Sequence, residues 1–218
     1  RRSSDLLVVR SVVVFVLGGA HLMGGDLPGA VHALAQASEM GQAAGNIHLA
    51  VPALTLLADL EVQRGRLHGA FEAYQRALEM AGHSPVAAQA HSGMGAVLYE
   101  WNDLEVAAHH LARSIDLGRL WGNADALSSD YVALARLRHA QGDLPGASDA
   151  VEEAEQLAKG RGLHVTAAAE VAGGRARLAM SRGDLSAVER YLRDCGLDLE
   201  GAINPLREEE YIGLARAL

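Results

Sequence analysis

The chain has 218 residues, half of them hydrophobic but only 4% aromatic, and a formal net charge of −8. Without the clustered Lys and Arg that phosphate contacts need, the acid excess argues against direct nucleic-acid binding by this segment. The single cysteine, Cys195, excludes an internal disulfide, and a cytoplasmic setting is expected.

At the N-terminus, Arg1 and Arg2 precede an apolar run from Val12 to Leu17, which imitates a signal peptide. Asp5 and Arg10 interrupt that pattern, and the run is too short to span a bilayer, so no membrane association is expected. The chain starts without Met, as expected for an internal fragment of a longer protein.

From there one phrase recurs five times. It reads Gly25-Asp26-Leu27, Gly65-Arg66-Leu67, Asn102-Asp103-Leu104, Gly142-Asp143-Leu144 and Gly183-Asp184-Leu185, at spacings of 40, 37, 40 and 41 residues. Three residues after each Leu stands Ala30, Ala70, Ala107, Ala147 or Val188. Seven after it stands Leu34, Tyr74, Leu111, Val151 or Leu192, and ten after it Ala37, Ala77, Ser114, Ala154 or Cys195. Steps of three and four draw one stripe along a helix. Seven residues before each phrase is a small residue: Gly18, Ala58, Gly95, Ala135 or Ala176.

The unit is therefore read as helix, tight turn, helix. Gly or Asn closes the first helix in the left-handed conformation, and the following Asp caps the second. Pro28 and Pro145 fall in the first turn of a second helix, where a missing N–H costs little. Helices are expected near 7–23 and 27–41, 47–64 and 67–82, 85–101 and 104–118, 124–141 and 144–159, and 164–182 and 185–195. After Asn204-Pro205, residues 206–218 read as the first helix of a partial sixth repeat, with Ala215 as its small residue. The expected architecture is one all-α domain, 1–218: a right-handed superhelical solenoid of about five repeats plus that partial sixth.

The small residue in the first helix and the Ala twelve residues later resemble the tetratricopeptide repeat (TPR). The pairs are Gly18 with Ala30, Ala58 with Ala70, Gly95 with Ala107, and Ala135 with Ala147. These repeats exceed the family's usual 34 residues. Three phrases point to a narrower group: Leu98-Tyr99-Glu100-Trp101-Asn102-Asp103-Leu104, Ala140-Gln141-Gly142-Asp143, and Glu209-Glu210-Tyr211-Ile212-Gly213-Leu214-Ala215-Arg216. They resemble the sensor region of MalT-type transcription regulators of the LuxR superfamily. That resemblance implies a superhelix that receives an inducer and supports self-association, between a nucleotide-binding module and a helix-turn-helix domain. No Gly-x-x-x-x-Gly-Lys-Ser/Thr phosphate loop occurs in the chain, so ATP chemistry is not carried over.

No catalytic constellation is expected, and no cofactor. The ten histidines include no His-Glu-x-x-His, and the neighbours His109 and His110 point about 100° apart on a helix, so they read as helix-surface histidines rather than metal ligands. Cys195 stands where the repeats want a small core residue. A catalytic reading of Glu152, Glu153 and Glu155 is weaker than a solvated outer face.

Candidate binding residues follow from the first helices, which line the inner surface of such arrays. Four positions of each first helix share one face. They are Val12, Phe15, Gly19 and Leu22; then Pro52, Thr55, Asp59 and Val62; then Gln89, Ser92, Ala96 and Tyr99; then Ser129, Val132, Arg136 and His139; then Glu170, Gly173, Arg177 and Met180. One row ends in three arginines, Arg136, Arg177 and Arg216, suited to a carboxylate or phosphate. The stronger reading is that they pair with Asp59, Glu170 or other acids between repeats. Tyr99 and His139 offer flat surfaces for a ligand, whereas Trp101, beside a turn, reads as a packing residue. The expected ligand contacts are Asp59, Ser92, Tyr99, Arg136, His139 and Arg177, and the expected partner is a small-molecule inducer or a protein. A protein-binding scaffold is the rival function.

Overall fold

The computed structural model describes residues 2–161 and 163–184, together with Ser186, Glu189, Arg190 and Arg193. Nine α-helices and one short 3-10 turn occur among the described residues, with no strand. They are α1 (Arg2–Met23), α2 (Leu27–Ala43), α3 (Ile47–Gln63), α4 (Leu67–Ala81), α5 (Ala88–Glu100), α6 (Leu104–Trp121), α7 (Ala124–Ala140), α8 (Leu144–Arg161) and α9 (Val165–Ser181). The fold is an all-α solenoid of TPR-like hairpins. It groups into two compact units, Arg1–Trp121 and Gly122–Leu218.

The recurrent phrase does the turning. Gly25, Gly65, Asn102, Gly142 and Gly183 all have positive φ, between 60° and 80°. Asn102 is the one non-glycine residue with positive φ among those described, at the place where a short polar side chain tolerates that conformation. The following Asp caps the second helix. Asp26 accepts from the Gly29 N–H at 3.0 Å, and Asp143 from the Gly146 N–H at 2.9 Å. Arg66 replaces Asp in the second repeat, and its side chain makes no cap.

The small residues bring the two helices of a hairpin together. A Cβ on Gly18 would stand 2.8 Å from Leu34 Cγ, and one on Gly95 would stand 2.9 Å from Leu111 Cγ. Where Ala takes that place, Ala58 and Ala135 are buried. Successive hairpins close on a thin core. In the first unit Ala30, Leu34, Ala37, Ala53 and Leu60 form one cluster, with Val14, Phe15 and Leu22 of α1 against it.

Helix ends differ from expectation in three places, one of them α5, which begins at Ala88 after a 3-10 turn at Pro85–Ala87 rather than at 85. α1 begins at Arg2 rather than near residue 7, because a helix propagates past the last apolar marker while no Gly or Pro stops it. α6 runs to Trp121 rather than 118. Gly118 is buried inside the helix, and the chain leaves it only at Gly122, where φ is 76°. The second helix of the fifth repeat is described only at Ser186, Glu189, Arg190 and Arg193, which are helical. Val188, Leu192, Cys195 and the expected helix at 206–218, with Ala215 and Arg216, lie outside the described residues.

Candidate functional site

In the first unit, Asp59 lies on α3, and Ser92 and Tyr99 lie on α5, all partly buried. Ser92 and Tyr99 are seven residues apart, so they share one face of α5. Asp59 has a partner the sequence did not announce. The Tyr74 hydroxyl on α4 donates to its carboxylate at 2.5 Å. Burial raises the Asp59 carboxyl above the usual carboxylate range, and the Tyr74 hydrogen bond partly offsets this. Tyr74 itself is raised by burial and by the neighbouring carboxylate.

Tyr74 is 2% exposed, and its ring lies against Gly93 of α5, where a Cβ would fall on the Cζ and Cε1 atoms. Asp59, Tyr74 and Gly93 thus tie three helices together. Beside them, Thr55 Oγ1 is fully buried with no hydrogen-bond partner.

Two further expectations of the stripe are settled in this unit. Phe15 and Leu22, placed on the open face by periodicity, pack into the α1–α2–α3 core. Trp101 packs at a tilt against His68 and Phe71 at centroid distances of 4.9 and 5.2 Å, which fits its reading as a packing residue.

The histidines hold a contact that sequence reasoning missed. His91 Nδ1 and His110 Nδ1 are 2.9 Å apart, so one imidazole donates and the other accepts. The hairpin register contained the signal: Gly95 lies on Ala107 as well as Leu111, and in an antiparallel pair four residues back along α5 matches four residues on along α6, which brings His91 to Leu111 and its neighbour His110. His91 is lowered to about 4 by burial first, then by His110, Arg113 and His109; His110 is lowered by burial and His109. Among the described residues no group of three or more His, Cys, Asp or Glu is arranged to hold a metal.

These lowered values carry a prediction. Between the unfolded pKa of 6.5 and about 4, the unfolded chain binds protons that the folded pair resists. The pair's contribution to stability is therefore full above pH 6.5 and falls as the pH drops toward 4. The loss is about 1 kcal/mol, reduced by solvent screening of half-exposed rings. Urea midpoints at pH 7.5 and 5.0 measure it, and His110→Gln should flatten the difference.

In the second unit, Arg136 and His139 lie on α7 and Arg177 on α9; His139 is exposed and the arginines are partly buried. First helices of adjacent repeats run side by side here. His164 N–H donates to Asp125 Oδ1 at 2.9 Å, Ser129 Oγ donates to Glu170 Oε2 at 2.5 Å, and Gly174 packs on Val132. Ser129 and Glu170 are equivalent stripe positions, 41 residues apart. Arg136 and Arg177 stand seven residues beyond them, two turns on, and so occupy the same side of the α7–α9 pair. Glu170 is engaged by Ser129, and Asp59 by Tyr74.

Hairpins closed by a left-handed residue, with small residues at the helix crossing, define a tetratricopeptide-like helical-repeat protein. The chain belongs to the family of MalT-like TPR regions, whose model matches residues 2–218. Several solved structures share the fold. BtubC from P. vanneervenii is 18% identical, with a TM-score of 0.70 and coverage of 94% of this chain and 92% of that one. A Rap protein complexed with competence and sporulation factor is 12% identical, with a TM-score of 0.70, covering 95% of this chain and 57% of its own. Aspartyl phosphate phosphatase F from Bacillus subtilis is 14% identical, with a TM-score of 0.69, covering 85% and 49%. At these identities the likeness is one of fold. No curated protein matches the sequence. Among the described residues no helix is long and apolar enough to cross a membrane.

Proposed function

We propose that this chain is the effector-sensing and self-association segment of a MalT-like transcription regulator, acting as one cytoplasmic domain over residues 1–218. Membership of the MalT-like TPR family is the observation that carries this reading. Ligand contacts are assigned to two patches. Asp59, Ser92 and Tyr99 form one on the first unit, and Arg136, His139 and Arg177 form the other on the second. The second patch suits an anionic effector, because two guanidiniums on one side of adjacent helices match a carboxylate or phosphate. A ligand acts by binding one conformation better than another.

A protein partner is the second reading. It is favoured by the likeness to the Rap protein, whose structure holds competence and sporulation factor.

A thermal-shift screen separates the two. An effector at about 100 times its Kd should add about 2.7 kcal/mol to stability, whereas a peptide-binding scaffold ignores small molecules. The variant Arg136→Ala/Arg177→Ala should fold normally and lose at least tenfold in affinity for the compound found. Unchanged affinity with reduced stability would make both arginines structural.

A further inference from the structure

The stripe residues of the first unit carry a single charge. Each of α1, α3 and α5 contributes four stripe positions, and among them only Asp59 is charged. Tyr74 donates to one oxygen of its carboxylate, and among the described residues no Lys, Arg or His pairs with it. One turn earlier on the same helix, Thr55 is fully buried and its Oγ1 has no hydrogen-bond partner.

Such a carboxylate is costly as it stands. Burial holds its carboxyl above the usual range, and one neutral hydroxyl offsets only part of the lost hydration. A counter-charge would offset more. The helices on either side leave the approach open. At the level of Asp59, six residues before the turn, α1 has Gly19 and α5 has Ala96. A Cβ on Gly19 would meet nothing within 4 Å, and Ala96 is exposed. One row further on, Val62 and Tyr99 are half-buried and offer apolar surface.

What remains of the carboxylate selects the kind of cation. Tyr74 engages one oxygen, so the flat two-point fork of a guanidinium finds no matching pair of acceptors, whereas an ammonium needs only one. A metal ion is disfavoured, since among the described residues no group of three or more His, Cys, Asp or Glu is arranged to hold one. The neutral flanks suit an apolar or aromatic body rather than a second charge.

We infer that the first unit's patch binds an organic ammonium ion, its nitrogen on Asp59 Oδ2 and its apolar body over Val62 and Tyr99. The inference rests on the ligand-binding reading proposed above and names the ligand class of that patch. It contrasts with the second unit, where Arg136 and Arg177 stand at the register of Asp59 and suit an anion.

An NMR titration of the 218-residue chain at pH 7.5 tests it, with phenethylammonium, phenethyl alcohol and hydrocinnamate as probes that share one ring and differ in charge. The ammonium should give saturable amide shifts on α3, α4 and α5, with a Kd on the order of 1 mM for so small a ligand. The alcohol and the carboxylate should bind at least tenfold more weakly. Asp59→Asn, which keeps an acceptor for Tyr74, should lose at least tenfold in ammonium affinity without losing stability, whereas Arg136→Ala should bind as the parent chain does. Equal affinity for phenethyl alcohol, or an Asp59→Asn chain that binds the ammonium as well as the parent, overturns the inference. So does the absence of saturable shifts up to about 20 mM with phenethylammonium and hexylammonium alike. Ammonium binding through Asp59 that leaves self-association unchanged upholds the site and counts against the sensing role. An effector response in a chain that binds no ammonium overturns the site and leaves the sensing role standing.

Discussion

Replacing Gly93 with Val should destabilise the first unit by about 3–5 kcal/mol. A Cβ at this position lies within 2.5 Å of two Tyr74 ring atoms and the hydroxyl oxygen, and Tyr74 is walled in at 2% exposure. The ring must leave its slot. The expected loss therefore sums an overpacking term and the removal of a donor from the buried Asp59 carboxylate. Denaturant unfolding of the variant measures it. Two comparisons isolate the cause. Gly160→Ala on α8, where an added Cβ meets nothing within 4 Å, should be neutral or slightly stabilising. Combining Gly93→Val with Tyr74→Leu should cost less than the sum of the single changes, because the smaller side chain vacates the contested space. Additive losses would show that Tyr74 is not what Gly93 accommodates.

Tyr74→Phe should cost about 2 kcal/mol at neutral pH, the usual worth of a hydrogen bond to a charged group. The pH dependence identifies its origin. The folded carboxyl of Asp59 sits above its ordinary value, so the folded chain holds its proton more tightly than the unfolded chain. This group's contribution to stability therefore grows as pH falls through the folded pKa toward 3.8. Removing the Tyr74 donor raises that pKa further, so the deficit of Tyr74→Phe should shrink in acid. Asp59→Asn keeps an acceptor for Tyr74 and removes the buried charge, and at pH 7 it should be at least as stable as the parent chain. Chemical denaturation of the three proteins at pH 7 and pH 5 decides the matter. Asp59→Asn also separates roles: if the carboxylate holds an effector, affinity falls while stability does not.

The hairpins were legible in the sequence because their determinants are local. A residue able to adopt positive φ, an Asp cap and a small residue seven places earlier lie within about ten residues of one another, and they recur. All five phrase positions adopt the left-handed conformation. The reading failed where Gly had a second use, as at Gly118, which lies inside α6. The candidate residues were legible only as faces. Periodicity placed Phe15 and Leu22 on the same face as Val12, but the rotation of α1 turns both toward Leu34 and Ala37. The partners were less legible still. Tyr74 reaches Asp59 across 15 residues and lies on Gly93 across 19, and His91 meets His110 across 19. Those contacts depend on how far each helix is rotated about its axis, which a pattern of small and large residues leaves loose.

Each hairpin fastens through residues close in the chain, such as Gly18 on Leu34 and Gly95 on Leu111, each pair sixteen residues apart. So little chain must be gathered to make each contact that assembly can begin at any hairpin, and speed is governed by neighbours rather than by a distant search. Amide protons of a terminal hairpin should then exchange with solvent well before those of α3 and α4, and a chain drawn out by its ends should lengthen in hairpin-sized steps.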